Sequence, residues 1–294
     1  MNESDTLRRF LFEGLHARGE LVHLDEAWRQ IQANHDYPPA VRAILGEALA
    51  ASVLLASTIK FEGVMTLQIQ GDGPMHLLVV ECSSEQKVRG LAKWKGESPD
   101  GSFSELAGSG RLAITVERGV GKERYQGIVP LAGNSLADCL DAYFAGSVQL
   151  PTRLWLAGSD ARVAGMLIQR LPAPPNEEPA EDDDWHRLQL VAGTVTEDEM
   201  IGLAGPDLLR RLFAEDDLRL FRPKPVVFSC SCSRERVAVA LRMMGREDIA
   251  ALIDEQGEVE ARCEFCNRQY LFDPVDAESL FTEASVPKAP PTLH

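Results

Sequence analysis

Six cysteines occur in the chain, and four of them form two close pairs: Cys230-Ser231-Cys232 and, 30 residues later, Cys263-Glu264-Phe265-Cys266. Zinc takes four thiolates in a closed tetrahedron, and each short pair suits one side of the ion. The spacing predicts one Zn2+ per chain held by Cys230, Cys232, Cys263 and Cys266. A disulfide framework or chance proximity of thiols is the bland alternative. With four protein ligands no position is open for a reacting water, so a catalytic metal is not expected and the chain is read as no enzyme.

The same thiols support redox chemistry. Four thiolates on one Zn2+ leave a net charge of about −2. Arg234, Arg236, Arg262 and Arg268 flank the cysteines and are suited to offset it. They would also keep the thiols ionised and open to oxidants, or else they are ordinary solvated residues. Oxidation removes the ligands, and with them the staple of the surrounding module.

That module must be built by short elements. Ser233 is placed to cap a helix with Val237, Ala240, Leu241 and Met244 inside and Gly245 as its stop. Met243 and Met244 are expected in the small core, with a flexible binding surface as the alternative. Ile249, Leu252 and Ile253 mark a second helix ending before Gly257. Val259–Arg262 and Gln269–Phe272 read as strands, with the second cysteine pair on the hairpin turn between them. A module of roughly 60 residues has little core and needs such a staple, so metal-binding energy becomes folding energy.

Three regions follow from composition: an α+β core over 1–175, an acidic metastable linker over 176–222 and a zinc-binding redox-switch module over 223–294. In the core, Asp25 is expected to cap a helix to Asn34, and Pro39 to open a buried helix to Ile59 in which Gly46 allows close packing. Ser135 is expected to cap a third helix, with Cys139 on its inner face. Alternating segments from Arg18, Val64, His76, Val88, Arg111, Arg124, Leu154 and Val163 predict a largely antiparallel sheet with helices to one side. Cys82 ends one of these strands, and core roles are expected for it and for Cys139.

After Leu171 the prolines 172, 174, 175 and 179 break regular structure. Residues 176–222 carry 13 acidic and 5 basic side chains. Thr196 and Glu199 fit a capping box, Gly205-Pro206 interrupts, and Leu208, Leu209, Leu212 and Phe213 form an apolar stripe. Leu218, Leu220 and Phe221 make a further apolar patch. Helices this short are marginal alone and need a docking surface, for which the exposed core sheet is the candidate. His186, after three aspartates, reads as solvated linker rather than metal ligand. The tail from Val286 reads as loose.

Net charge is −15 over 294 residues, which repels nucleic acid and anionic lipid. No uncharged apolar run approaches the roughly 18 residues of a membrane span, and Met1–Asp5 does not resemble a signal peptide. A cytoplasmic protein with no nucleic-acid or membrane partner is expected. Gly119-Val120-Gly121 reads as a turn, since no phosphate-loop or nucleophile-elbow motif accompanies it.

Three stretches resemble the 33 kDa chaperonins, bacterial redox-regulated heat-shock chaperones: FLFEGLHARGELVHL, YQGIVPLAGNSLADCLDAYFAGSVQLPTRLWL, and FSCSCSRERVAVAL with CEFCNRQYLF. The last two carry the most specific match and cover Cys230, Cys232, Cys263 and Cys266 one for one. The resemblance implies a chaperone of the oxidative stress response that is inactive when reduced and zinc-bound. It implies that oxidation forms Cys230–Cys232 and Cys263–Cys266 disulfides, expels zinc and unfolds module and linker. It further implies a homodimer in the active form and ATP-independent holding of unfolded clients. Between the two bridges, the one closing Cys230-Ser231-Cys232 is the more strained, so Cys263–Cys266 is expected to close more readily.

Two other classes remain open from the residues themselves. A zinc-ribbon adaptor would bind nucleic acid or protein; the acidic charge opposes the former. A thiol–disulfide oxidoreductase would place Cys263 and Cys266 at a helix N-terminus, where a hairpin is expected instead.

Overall fold

The computed structural model describes residues 4–117, 124–147, 150–173 and 182–282. The Gly119–Gly121 turn, the prolines and acids from Pro174 to Glu181 and the tail from Val286 lie outside the described residues. The chain forms two compact units, Met1–Ser229 and Cys230–His294.

The first unit opens with β1 (Thr6–Phe12), β2 (Ala17–Leu24), α1 (Glu26–Gln32) and α2 (Pro39–Thr58). Next come β3 (Val64–Gly71), β4 (Met75–Ser83), β5 (Lys87–Trp94), α3 (Phe103–Ala107), β6 (Gly110–Glu117) and β7 (Arg124–Pro130). Then follow α4 (Leu136–Ser147), β8 (Thr152–Gly158) and β9 (Val163–Arg170). Three short helices succeed them, α5 (Asp182–Ala192), α6 (Glu197–Gly202) and α7 (Gly205–Leu212). Strands β10 (Leu218–Leu220), β11 (Lys224–Pro225) and β12 (Val227–Phe228) end the unit. The second unit holds α8 (Arg234–Met244), α9 (Arg246–Gln256), β13 (Val259–Arg262), β14 (Gln269–Phe272) and α10 (Pro274–Thr282).

Two sheets of the first unit enclose α2. One has the order β10-β1-β2-β9-β8, with β11 also on β1; the other runs β12-β5-β4-β3-β6-β7. Pairing is antiparallel throughout except β12 on β5. The class is thus α+β with largely antiparallel sheets, in two sheets rather than one. Alternation fixes the register: Met65, Leu67 and Ile69 of β3 are buried, and Leu67 lies opposite Val80.

Helix α2 is apolar on nearly every face because a sheet covers it on each side. An 18-residue window has mean hydropathy 1.6, enough by length and composition to cross a membrane, yet 72% of that window is buried inside the fold. Gly46 makes room for β9: a Cβ there would lie 2.5 Å from Cγ1 of Val163.

One cap differs from expectation. Asp25 sits at the N-terminus of α1 but makes no side-chain cap. Its carboxylate faces Arg162, at 2.5 and 2.8 Å, a bidentate charged pair stronger than a neutral cap. Asp5 serves instead, accepting from the amides of Asp25, Glu26 and Ala27 at 2.9–3.1 Å. Ser135 caps α4 as expected, its hydroxyl accepting from Asp138 N at 3.1 Å.

Candidate metal centre and the segment docked on the core sheet

The second unit holds the four cysteines, all half-buried, and a core of Ala238, Leu241, Ile249, Val259, Phe272, Ala277 and Leu280. Cys230 and Cys232 lie in the extended segment before α8, whose start is capped by Ser233 accepting from Arg236 N at 3.3 Å. Gly245 (φ 103°) ends α8, and Gly257 in the left-handed region ends α9. β13 and β14 pair from Val259↔Phe272 to Arg262↔Gln269. The turn joining them holds Cys263 and Cys266, closed by Cys263 N donating to Arg268 O at 2.9 Å and Asn267 N to Cys263 O at 2.8 Å. The hairpin placement is the one expected.

The inner stripe of α8 is rotated from the expected one. Ala238 and Leu241 are buried, whereas Ala240 is exposed and Met243 and Met244 are 80% and 50% exposed. The core is too small to cover both faces of α8, so the methionines stay outside.

All four sulfurs are free thiols lying within 4.8 Å of one another. Contacts of 3.6 Å for Cys230–Cys263 and 3.4 Å for Cys232–Cys266 each join one sulfur of the first pair to one of the second. Zinc–sulfur bonds of about 2.3 Å in a tetrahedron put sulfurs about 3.8 Å apart, so the cluster is compatible with a four-thiolate zinc site.

The thiols are not equivalent. Burial would raise Cys232, but the Tyr270 hydroxyl, donating at 3.1 Å, and the three neighbouring sulfurs outweigh it and bring it down to about 7. Burial pushes Cys266 up to about 12. Tyr270 escaped the sequence reading; its position on the strand leaving the second pair was the available signal.

The flanking arginines divide in role. Arg234 donates to Leu271 O at 2.6 Å and Asp276 at 2.5 Å, and lies 4.2 Å from the Phe272 ring centroid. Arg236 holds Ser231, between the first two cysteines, through its carbonyl at 3.1 Å and hydroxyl at 2.6 Å. Arg262 pairs with Glu260. The Tyr270 hydroxyl first, and then Cys232 and Cys266, raise the Arg268 pKa above its ordinary value. Cys82 and Cys139 lie elsewhere, fully buried in the first unit's core. Burial lifts Cys82 to about 12 and raises Cys139, which leaves both poor nucleophiles at neutral pH.

In the first unit, α5–α7 dock on the face of β1-β2-β9-β8 turned away from α2. Leu188, Ala192, Met200, Leu208, Leu209 and Phe213 pack against Phe10, Phe12, Leu21, Ala164, Met166 and Ile168. The capping box of Thr196 and Glu199 is formed at α6. Polar clamps join the layers: His23 Nε2 lies 2.8 Å from Met200 O, and Arg162 Nη1 donates to Ile201 O at 2.8 Å. Within the segment, Arg187 grips Asp216 at 2.5 Å, and Arg211 meets Glu199.

A family model described as "Hsp33 protein" matches residues 5–273. The chain belongs to the Hsp33 family. Relatives named 33 kDa chaperonin are 50% identical in Nitrosococcus oceani, covering 99% of each chain, and 47% identical in Methylobacillus flagellatus, covering 96% of each. The one in Pseudomonas aeruginosa is 45% identical over the full length of both chains. The crystal structure of a 33 kDa chaperonin from Thermotoga maritima, at 23% identity, has the same fold: the TM-score is 0.78, covering 94% of this chain and 97% of that one. Membership agrees with the resemblance read from the sequence.

Proposed function

We propose that this Hsp33-family chain is a chaperone, and specifically a redox-regulated, ATP-independent holdase of the cytoplasm that protects unfolding proteins from aggregation under oxidative stress. The chaperonin names of its relatives support the general activity. The observation that carries the redox reading is the cluster of four free thiols within 4.8 Å, set in a module whose core is seven residues.

In the reduced form Cys230, Cys232, Cys263 and Cys266 would hold Zn2+. Bound zinc supplies a cross-link between the segment before α8 and the β13–β14 turn, and keeps the thiols ionised. Peroxide then joins Cys263 to Cys266 and Cys230 to Cys232. Each bridge gives up two electrons from two thiolates, and with two protons taken from water one peroxide becomes two waters. With both bridges closed no thiolate remains to hold the ion, and the small core is left without its staple. Residues 176–222 serve as the metastable linker between a chaperone core, 1–175, and the switch module, whose compact unit begins at Cys230. Its release uncovers Phe10, Phe12, Leu21, Met166 and Ile168, an apolar face of the kind that captures unfolded clients. Two such faces brought together would account for dimers of the active form.

The test follows light scattering of a thermally unfolding client. Chain treated with peroxide and mild heat is expected to suppress aggregation while zinc and free thiols are lost together. Equal suppression by the reduced chain, or none by the oxidised one, would overturn the proposal.

A further inference from the structure

A net charge of −15 conceals a local exception in the first unit. Two adjoining cavities of about 440 and 560 Å3 share Arg9, Arg18 and Lys224 as walls. Lys60, just beyond the end of α2, lines the first, and Arg222 lines the second. Both volumes fall in the range of small-molecule sites, roughly 300–1,000 Å3.

Strand register builds the cluster. Arg9 lies opposite Glu20 on the β1–β2 ladder, and Arg18, two residues before Glu20, shares its face. On the other edge of β1, Leu7 pairs with Lys224 and Phe10 with Leu220. Arg8 and Arg9 therefore face three residues, Phe221, Arg222 and Pro223. Pro223 has no N–H to donate, and the extra residue arches outward. The arch brings Arg222 and Lys224 to the cavity walls.

The positive charge is not neutralised from within. Arg18 donates to neutral acceptors, Gln169 Oε1 at 2.7 and 3.0 Å and Thr58 O at 3.1 Å. Lys60, Arg222 and Lys224 make no ion pair among the described residues. Glu20 is the one acidic residue on either lining. It is 1% exposed; Oε1 accepts from Arg9 Nε at 3.3 Å, and Oε2 has no partner among the described residues.

We infer that this cleft is a binding site for a compact oligophosphate anion, held between the end of α2 with β1 and β2 on one side and the Phe221–Pro223 arch on the other. Guanidinium forks suit phosphate oxygens, and the lysines add point charge. Glu20 opposes this only in part near neutral pH. Burial lifts it to about 7 against the pull of Arg9, Arg18 and Lys224, which face it from β1, β2 and β11. Protonated, it adds no negative charge to the cleft. An anion bound here ties the end of the docked segment to the core sheet and so restrains the switch; that consequence rests on the function proposed above, whereas the binding itself does not.

The test uses the full-length, reduced, zinc-loaded chain with no client present, so it stands apart from holdase activity. Calorimetric titration with tripolyphosphate and, separately, with ATP is expected to give saturable, salt-sensitive binding at one site per chain. Similar affinities assign recognition to the phosphate chain alone; a clear preference for ATP assigns it to a nucleotide, and either supports the site. Lys60→Glu and Lys224→Glu should each weaken binding roughly tenfold, while Lys95→Glu, an equal charge change on exposed surface, leaves it unchanged. Above neutral pH, Glu20→Gln should bind more tightly than the parent. Tripolyphosphate should also slow tryptic cleavage at Arg210 and Arg211 of α7, and not do so in Lys224→Glu. Absence of saturable binding, equal weakening by Lys95→Glu, no gain from Glu20→Gln, or binding without protection would each overturn the assignment.

Discussion

Phe213, at the end of α7, stands edge-on to Phe12 of β1, with ring centroids 4.9 Å apart and planes at 88°. Phe10 lies 6.2 Å from the same ring, and all three rings are at most 2% exposed. Edge-to-face pairs add about 0.5–1.5 kcal/mol beyond burial. Removing the ring should cost roughly 3–5 kcal/mol, more than helices of six and eight residues supply by themselves. Reduced Phe213→Ala is therefore expected to lose helicity, to be cut readily between 182 and 221, and to hold clients without oxidant. Limited proteolysis of the reduced variant decides it: an unchanged cleavage pattern removes Phe213 as the anchor.

A weaker change at the same segment should give a graded effect. Thr196 accepts from Glu199 N at 3.3 Å while the Glu199 carboxylate accepts from Thr196 N at 3.1 Å. Thr196→Ala forfeits this cap, about 1 kcal/mol. The reduced variant should stay docked but respond to peroxide at a lower temperature than the parent. Light scattering across a temperature series checks it, and an unshifted threshold counts against the cap.

Much of this was legible beforehand, for identifiable reasons. The caps Ser135, Thr196 and Ser233 and the stops Gly245 and Gly257 are local signals that the structure bears out, and the cysteine spacing signals the four sulfurs that come together. β1 was missed because Arg8-Arg9 and the run Phe10-Leu11-Phe12 hide its alternation; Phe10 and Phe12 face the docked helices and Leu7 faces α2. α5 was missed because Asp182, Asp183 and Asp184 read as a repelling linker. They occupy its first turn, where the helix dipole favours acids, and Leu188 and Ala192 are buried one turn apart. The Ser102–Glu105 capping box of α3 was there to be seen. Other features depend on tertiary register and have no local signature: the two-sheet split, Asp5 serving as cap for α1, and the Arg222 arch.

Tyr270 sets the reactivity of one thiol. Its hydroxyl is the leading group that lowers Cys232, against burial, to about 7. Tyr270→Phe keeps the ring in the small core and removes the donor. In metal-free chain held at low temperature in a stabilising osmolyte, with the packed module checked by near-ultraviolet circular dichroism, Cys232 should then titrate higher and alkylate several-fold more slowly near neutral pH. Mass-spectrometric labelling of Cys232 against pH measures this, and an unmoved labelling midpoint shows that Tyr270 does not set it.

Glu20 ties the stability of the first unit to pH. Burial raises its pKa from 4.5 to about 7, despite Arg9, Arg18 and Lys224. The folded chain thus holds a proton up to about 7 that the unfolded chain releases near 4.5. Between those values the folded state binds more protons, so stability falls as pH rises, and the full cost, about 3 kcal/mol at most, is present above 7. Glu20→Gln removes the titrating group and leaves Arg9, 43% exposed, to water. Urea unfolding midpoints of parent and variant should converge below pH 4.5, with the variant gaining steadily up to about pH 7 and the difference levelling off above it. A parent that instead gains stability over that range would mean the carboxylate is already ionised and paired, and Glu20 would then repel rather than assist an anion in the cleft.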